Sequence, residues 1–285
     1  MKMKYLPILF LFLIFIQGSE ARTLRVGYNH EYKLPSDAAA DVQSGDTVLI
    51  DSSAIYFGDV AVWDGDNLVI KGANGRPHID AGGEYAQGKG IWVIKGDSVT
   101  IENIEFSGAA VPDKNGAGIR HDGKNLTVSN CYFHHNENGI LGGNDENSAI
   151  LVEHCEFEAN GHGDGFSHNL YIGGAGKLIF RFNYSHAAKV GHCLKSRAKE
   201  NRIMFNRIED GRGTPSRLID IPNGGKCVIA GNLLKQNFDA VNKDMVGYGL
   251  EGYNSGSENK LAFIGNTLFN FRWQVNFINM SSGLD

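Results

Sequence analysis

Apolar residues along this chain recur in short runs of alternating apolar and polar positions, four to eight residues long, each broken by Gly, Asn or Asp. Beyond the N-terminal leader, no stretch keeps a 3.6-residue period long enough to predict a major helix. The pattern therefore predicts many short strands with frequent turns. One short helix is expected, near residues 35–43, where Pro35 opens a small amphipathic run.

Aligned on one recurring turn residue, the strands show a register: "VTIENIEF" (Asn103), "LTVSNCYF" (Asn130), "ILVEHCEF" (His154), "IFRFNYSH" (Asn183), "IMFNRIED" (Asn206), "VIAGNLLK" (Asn232) and "AFIGNTLF" (Asn266). The intervals are 27, 24, 29, 23, 26 and 34 residues, so length variation falls in the loops. A unit of this size cannot bury its apolar face alone and must stack on its neighbours. Three short strands per unit predict an all-β fold, a parallel β-helix. Asn suits the corner because it tolerates left-handed backbone and can hydrogen-bond to the next coil.

On this strand-Asn-strand motif the chain resembles the pectin-lyase-like superfamily, over nearly all of residues 22–285. The resemblance implies right-handed coils with a single β-helix domain. Residues 22–85 read as less regular opening coils with a cap, and "VNFINMSSGLD" as the start of a further coil that then stops, as in a truncated chain. Cys131 and Cys155, each after a corner residue, are expected to stack above one another in a buried column, with Phe133 and Phe157 two positions on, at an interstrand spacing short enough for a bridge.

The start of the chain adds a compartment. "MKMK" followed by "YLPILFLFLIFIQ" and "SEA" reads as a cleavable signal peptide over residues 1–21, which predicts a secreted or periplasmic protein with no membrane association after cleavage. Cleavage would remove Lys2, Lys4 and Glu20 and leave 25 basic against 31 acidic residues, a net charge of −6. That balance argues against nucleic acid as a partner but not against an acidic substrate at a locally basic site.

One strand of each coil aligns on an inward apolar residue: Ile119, Ile140, Leu170, Leu194, Ile219 and Leu250. Alternation then places Arg120, Leu141, Tyr171, Lys195, Asp220 and Glu251 in one outward file. His168, His192, Arg217 and Tyr248 flank it before the strand, Arg197 and Tyr253 after it, with Asn169 and Asn223 nearby. A file of Lys, Arg, His, Tyr and carboxylates suits β-elimination at a uronic acid. That reaction needs the carboxylate neutralised, a base for the C5 proton and an acid for the departing oxygen. Lys195 is the expected base, its free amine favoured if Arg197 and Arg217 flank it. Arg197 or Arg217 would bind the carboxylate, and Tyr171 with His168 or His192 would protonate the leaving oxygen. Asn169, Arg120, Asn223, Tyr248 and Tyr253 are expected substrate contacts.

The segment "LKSRAKENRIMFNRIEDGRGT" also resembles one coil of polysaccharide lyase family 6, the alginate lyase and chondroitinase B type, which implies the base role for Lys195. That family's Arg-His-Gly on the next coil is "IDIPNGG" here, and its calcium-binding glutamates before the Lys are Gly191 and His192. Arg217 or Arg197 would then replace the missing arginine, and Asp220 with Glu251 would form a relocated calcium site of oxygen ligands. An acidic polysaccharide is the expected partner, its identity set by loops 107–117, 142–148 and 236–247. The alternatives left open are a uronate C5-epimerase, a glycoside hydrolase using Asp220 and Glu251, and a non-catalytic glycan-binding or structural β-helix. The polygalacturonase Asp-Asp dipeptide is absent, and "GHG" at 161–163 reads as a glycine turn.

Overall fold

A computed structural model describes residues 20–53, 55–254 and 258–282; the expected signal peptide lies almost wholly outside these residues. Each coil after the first contributes one short strand to each of three parallel sheets. Sheet I has ten strands and begins at Thr23–Val26, sheet II has nine and begins at Ile55–Phe57, and sheet III has nine and begins at Ala61–Trp63. Coils stack in register, so residues at one repeat position form a file along the molecule. The opening coils are as regular as the rest, since strands from residues 23 to 80 join the same three sheets. The short helix, Pro35–Asp41, sits beside the first strand with Ala38 buried. It begins as Pro at the first turn allows, and the Asp37 carboxylate accepts the backbone N–H groups of Lys33 and Leu34 at 3.1 and 3.0 Å. No helix among the described residues is long and apolar enough to cross a membrane.

Inward positions fill a continuous apolar column. Phe106, Phe133 and Phe157 stack nearly face to face, with ring centroids 5.1 and 4.9 Å apart, close to the spacing between paired strands. Cys131 and Cys155 stand in the neighbouring file as buried free thiols, the Cys155 sulfur accepting the Cys131 backbone N–H at 3.4 Å.

The corner register differs by one residue from the sequence alignment. Asn103, Asn130 and His154 lie in a left-handed file that continues through Phe182, Phe205 and Gly231, with φ of 54–65°. The Asn ladder is the adjacent file, in which Asn183, Asn206, Asn232 and Asn266 continue from Cys131 and Cys155. In the "FN" and "GN" turns Phe182, Phe205 and Gly231 take the left-handed position, Gly alone without steric cost, and the Asn falls on the following, inward place. There each side-chain oxygen accepts the backbone N–H of the preceding rung at 2.8–2.9 Å, and each amide nitrogen donates to a backbone carbonyl at 2.8–2.9 Å.

This ladder is buried, so every rung removed strands polar groups. Asn206→Ala is expected to destabilise the fold by about 2–4 kcal/mol, because it leaves the Asn183 N–H and the Phe180 carbonyl without partners. Urea denaturation of the variant against the parent protein measures the loss.

Candidate functional site

The outward file of sheet III is real over five coils: Arg120 pairs with Leu141, Leu141 with Tyr171, Tyr171 with Lys195 and Lys195 with Asp220. On the next coil Asp220 pairs with Gly247, not with Glu251. The expected inward residue Leu250 lies beyond the strand Asp244–Tyr248, and Val246 takes its place over Ile219. "MVGYGL" offers three apolar residues at a period of two, and the strand uses the first two. Tyr248 is therefore a core residue, with no exposure and its hydroxyl donated to the Gly225 carbonyl at 2.6 Å. Its assignment as a substrate contact is corrected accordingly.

Glu251 reaches the site from the loop that follows. Its carboxylate bridges two cations, with Oε1 3.1 Å from Lys195 Nζ and Oε2 accepting a hydrogen bond from the Arg197 guanidinium. Arg197 also donates through Nε to the Tyr171 hydroxyl oxygen at 2.8 Å and to Asn223 Oδ1. Asn223 in turn donates to the Gly252 carbonyl at 3.2 Å, which ties the guanidinium to the Glu251 loop. The ammonium of Lys195 stands 5.7 Å from the Tyr171 ring centre. Asp220 Oδ2 lies 3.7 Å from the same ammonium, and Arg217 holds Asp220 Oδ1 at 3.2 Å and Asp244 Oδ2 at 3.3 Å.

The expected pair of guanidinium groups does not flank Lys195. Its nearest charged partners are Asp220 and Glu251, and Arg217 is spent on two carboxylates. Burial pushes the Asp220 carboxyl up from its usual range, although Arg217 and Lys195 oppose it. Burial would also raise Glu251, but hydrogen bonds from Arg197 and Lys195 outweigh it and hold that carboxyl low. Asp244, which the sequence reading passed over, is held low against burial by Asn279, Asn276 and Arg217.

The two histidines serve differently from expectation. His168 and His192 are 2% and 6% exposed, stacked with ring centroids 5.0 Å apart. Each sits two residues before an inward residue, so period-two alternation turns it inward as well. His168 Nδ1 accepts the His192 backbone N–H at 2.9 Å, and His192 Nδ1 accepts that of Arg217 at 3.1 Å. Asn138 begins the same ladder by accepting the His168 N–H at 2.8 Å. Burial, then the charges of Lys195 and Arg197, pushes His168 down to about 3, and burial holds His192 well below its ordinary value. Both rings are thus neutral with the proton on Nε2, and His192 presents that edge to Asp220 Oδ2 at 3.5 Å. They support the site from beneath and do not reach a leaving group.

Asn169 is likewise fully buried, accepting the Asn160 N–H at 3.1 Å in a second corner ladder, so it is not a substrate contact. Tyr253 is half-buried with its hydroxyl engaged by the Ser281 carbonyl at 3.1 Å. Arg120 lies three rows from Lys195 along the file, held at 3.2 Å by Asp122. Beside Tyr171 opens a cleft of about 320 Å³, lined by Asp113, Lys114, Asn115 and the exposed Phe166, so the 107–117 loop does border the site.

A calcium ion at Asp220 and Glu251 does not fit this arrangement. The space between the two carboxylates holds the Lys195 ammonium, two guanidinium groups occupy their other oxygens, and too few oxygen ligands converge for calcium.

Residues 14–169 match the family described as "Right handed beta helix region", more than half of the chain. The chain belongs to this right-handed beta helix family. Among solved structures it is similar to pectate lyase Pel9A, at 14% identity and a TM-score of 0.58, over 92% of this chain and 79% of that one. It is similar to an alginate lyase from Paenibacillus sp. str. FPU-7 at 11% identity and a TM-score of 0.58, over 91% and 98%. A pectin methylesterase from Aspergillus niger aligns at 13% identity and a TM-score of 0.50, over 93% and 94%. No curated protein matches the chain. At such identities the likeness is one of fold: a right-handed parallel β-helix of the kind that carries polysaccharide-acting enzymes.

In this right-handed helix the buried histidines carry a signed pH dependence. His168 has its pKa depressed on folding, so the stability tied to its neutral form is present above about 6.5 and is lost as pH falls towards 3. His168→Asn, which supplies the same acceptor as Asn138, is expected to spare about 1–2 kcal/mol of that acid destabilisation near pH 4.5. Melting temperatures at pH 7 and pH 4.5 measure the difference.

Proposed function

We propose that the protein is an exported polysaccharide lyase that cleaves a uronate-containing chain by β-elimination on the outward face of sheet III. The observation that carries this reading is the position of Glu251. Its carboxylate rests on Lys195 and Arg197, next to the Tyr171 hydroxyl, as the carboxylate of a bound uronate would. Arg197 is fixed in advance by Tyr171 and Asn223, so the carboxylate seat is preorganised. The neighbouring cleft and Arg120 extend the face for further sugar units.

In this reading a substrate carboxylate displaces Glu251 onto solvent and takes its place on Arg197. Neutralising that carboxylate acidifies the C5 proton. Lys195 in its free-amine form accepts the C5 proton, with Asp220 3.7 Å away to hold the ammonium that results. Electrons from the C5–H bond form the C4=C5 bond as the C4–O bond breaks, and the Tyr171 O–H protonates the departing oxygen. His192 and Arg217 hold Asp220 throughout. No metal ion enters these steps. The solved neighbours named as pectate lyase and alginate lyase are consistent in fold with a uronate polymer as partner.

A second reading is glycoside hydrolysis. Asp220 and Glu251 share one ammonium while their carboxyls are pushed in opposite directions, as an acid and a nucleophile or base would be. Products decide between them, because elimination alone creates an ultraviolet-absorbing double bond; sugar inversion without cleavage would mark an epimerase, and retention without turnover a binding protein.

Lys195→Ala and Tyr171→Phe are each expected to lower kcat by about 100- to 10,000-fold on the cleaved polymer, with folding preserved. Full activity of either variant, followed by absorbance on alginate, pectate and glucuronan, sinks the lyase reading. Glu251→Gln is expected to lower KM several-fold, by removing the resident competitor for the carboxylate seat. Chelator-treated protein should turn over equally well with and without added calcium.

A further inference from the structure

On the outward face of sheet II, away from Lys195, the strands His78–Asp80, Glu105–Ser107 and Tyr132–His134 lie side by side on three successive coils. Their side chains bring two imidazoles and a carboxylate together. His134 Nε2 stands 3.0 Å and His78 Nδ1 3.7 Å from Glu105 Oε1, and a ligand atom from each of the three residues lies within 4.8 Å of the other two. Ligands held about 2.0–2.1 Å from a tetrahedral ion stand roughly 3.4 Å apart, between the two spacings observed.

We propose that His78, Glu105 and His134 form a binding site for a divalent transition-metal ion of the zinc class. Two neutral imidazoles and one carboxylate are a donor set that suits zinc and related ions, and a poor one for calcium or magnesium, which need more oxygens. All three side chains are 17–26% exposed, open enough for an ion to enter yet held by the sheet.

The surroundings orient the ligands as metal-bound histidines require. Ser107 Oγ donates to Asp80 Oδ2 at 3.1 Å, so it accepts from His78 Nε2, 2.7 Å away. That places the proton of neutral His78 on Nε2 and its lone pair on Nδ1, the atom facing Glu105. His134 Nδ1 lies 2.9 Å from Nδ1 of His135, whose left-handed backbone (φ 55°) follows the strand directly. With a metal on Nε2, His134 donates from Nδ1 to His135. Each ligating ring thus has a partner for its other nitrogen.

A rival group on the same sheet, Glu156, Glu158 and His186, has one imidazole only. Its Glu158 is already held by the Tyr132 hydroxyl and its Glu156 by His186 at 3.1 Å. The four free cysteines are buried and do not compete.

The test is a calorimetric titration of the untagged, metal-stripped chain with zinc chloride at neutral pH. One equivalent should bind saturably and raise the melting temperature, and calcium or magnesium should do neither. Ser107→Ala should weaken binding by about 10- to 100-fold, and His78→Ala or His134→Ala by more. His186→Ala should leave it unchanged. Because all these side chains face outward, circular dichroism should show the same fold in every variant, and His134→Gln serves if His134→Ala does not fold. Absence of one-equivalent binding, its persistence in the His78→Ala/His134→Ala double variant, or its loss in His186→Ala overturns the site. None of these outcomes depends on the lyase reading, which is read from turnover.

Discussion

Register between parallel strands is the constraint on which the rest depends. Because each coil hydrogen-bonds to the next with like positions aligned, whatever one coil places at a given position is stacked about 4.8 Å from its counterpart. Apolar residues inside become a continuous core, Asn at a corner becomes a ladder, and polar residues outside become a file of functional groups. Sequence-distant residues such as Tyr171, Lys195 and Asp220 are thereby brought side by side without any long-range loop having to fold over them. The same stacking places His78, Glu105 and His134 together on another sheet.

Much of this was legible in the sequence, because the repeat and the period-two alternation are both one-dimensional patterns. The three-sheet helix, the stacked Phe133 and Phe157, and the Arg120 to Asp220 file follow from them directly. The errors arise where one pattern admits two registers. An Asn beside Phe or Gly reads the same whether it occupies the left-handed corner or the place after it, so the ladder slipped by one residue. "MVGYGL" offered Leu250 where the strand uses Val246, which misplaced Tyr248 on the surface.

Other misses have a different origin. Residue type places His168 and His192 on the surface, whereas their position two before an inward residue implies the burial observed. Glu251 joins the cluster through a loop whose course no periodicity encodes. Asp244 gains its place from Arg217, Asn276 and Asn279, contacts made between coils that no motif announces. The Lys195–Asp220 pair follows from the file, whereas the Ser107 and Asp80 partners of His78 depend on side-chain directions that the alternation does not carry.

The Arg217 bridge links the site's electrostatics to the integrity of the stack. Asp220 is braced by Arg217, Arg217 by Asp244, and Asp244 by Asn276 and Asn279 on the strand Asn276–Met280. Loosening of that strand would free Asp244 to swing away, release the guanidinium and leave Asp220 with Lys195 and His192 as its remaining partners. A disturbance at Asn276–Met280 is therefore felt two strands away, at Asp220, as a change of charge balance before the solenoid itself unwinds.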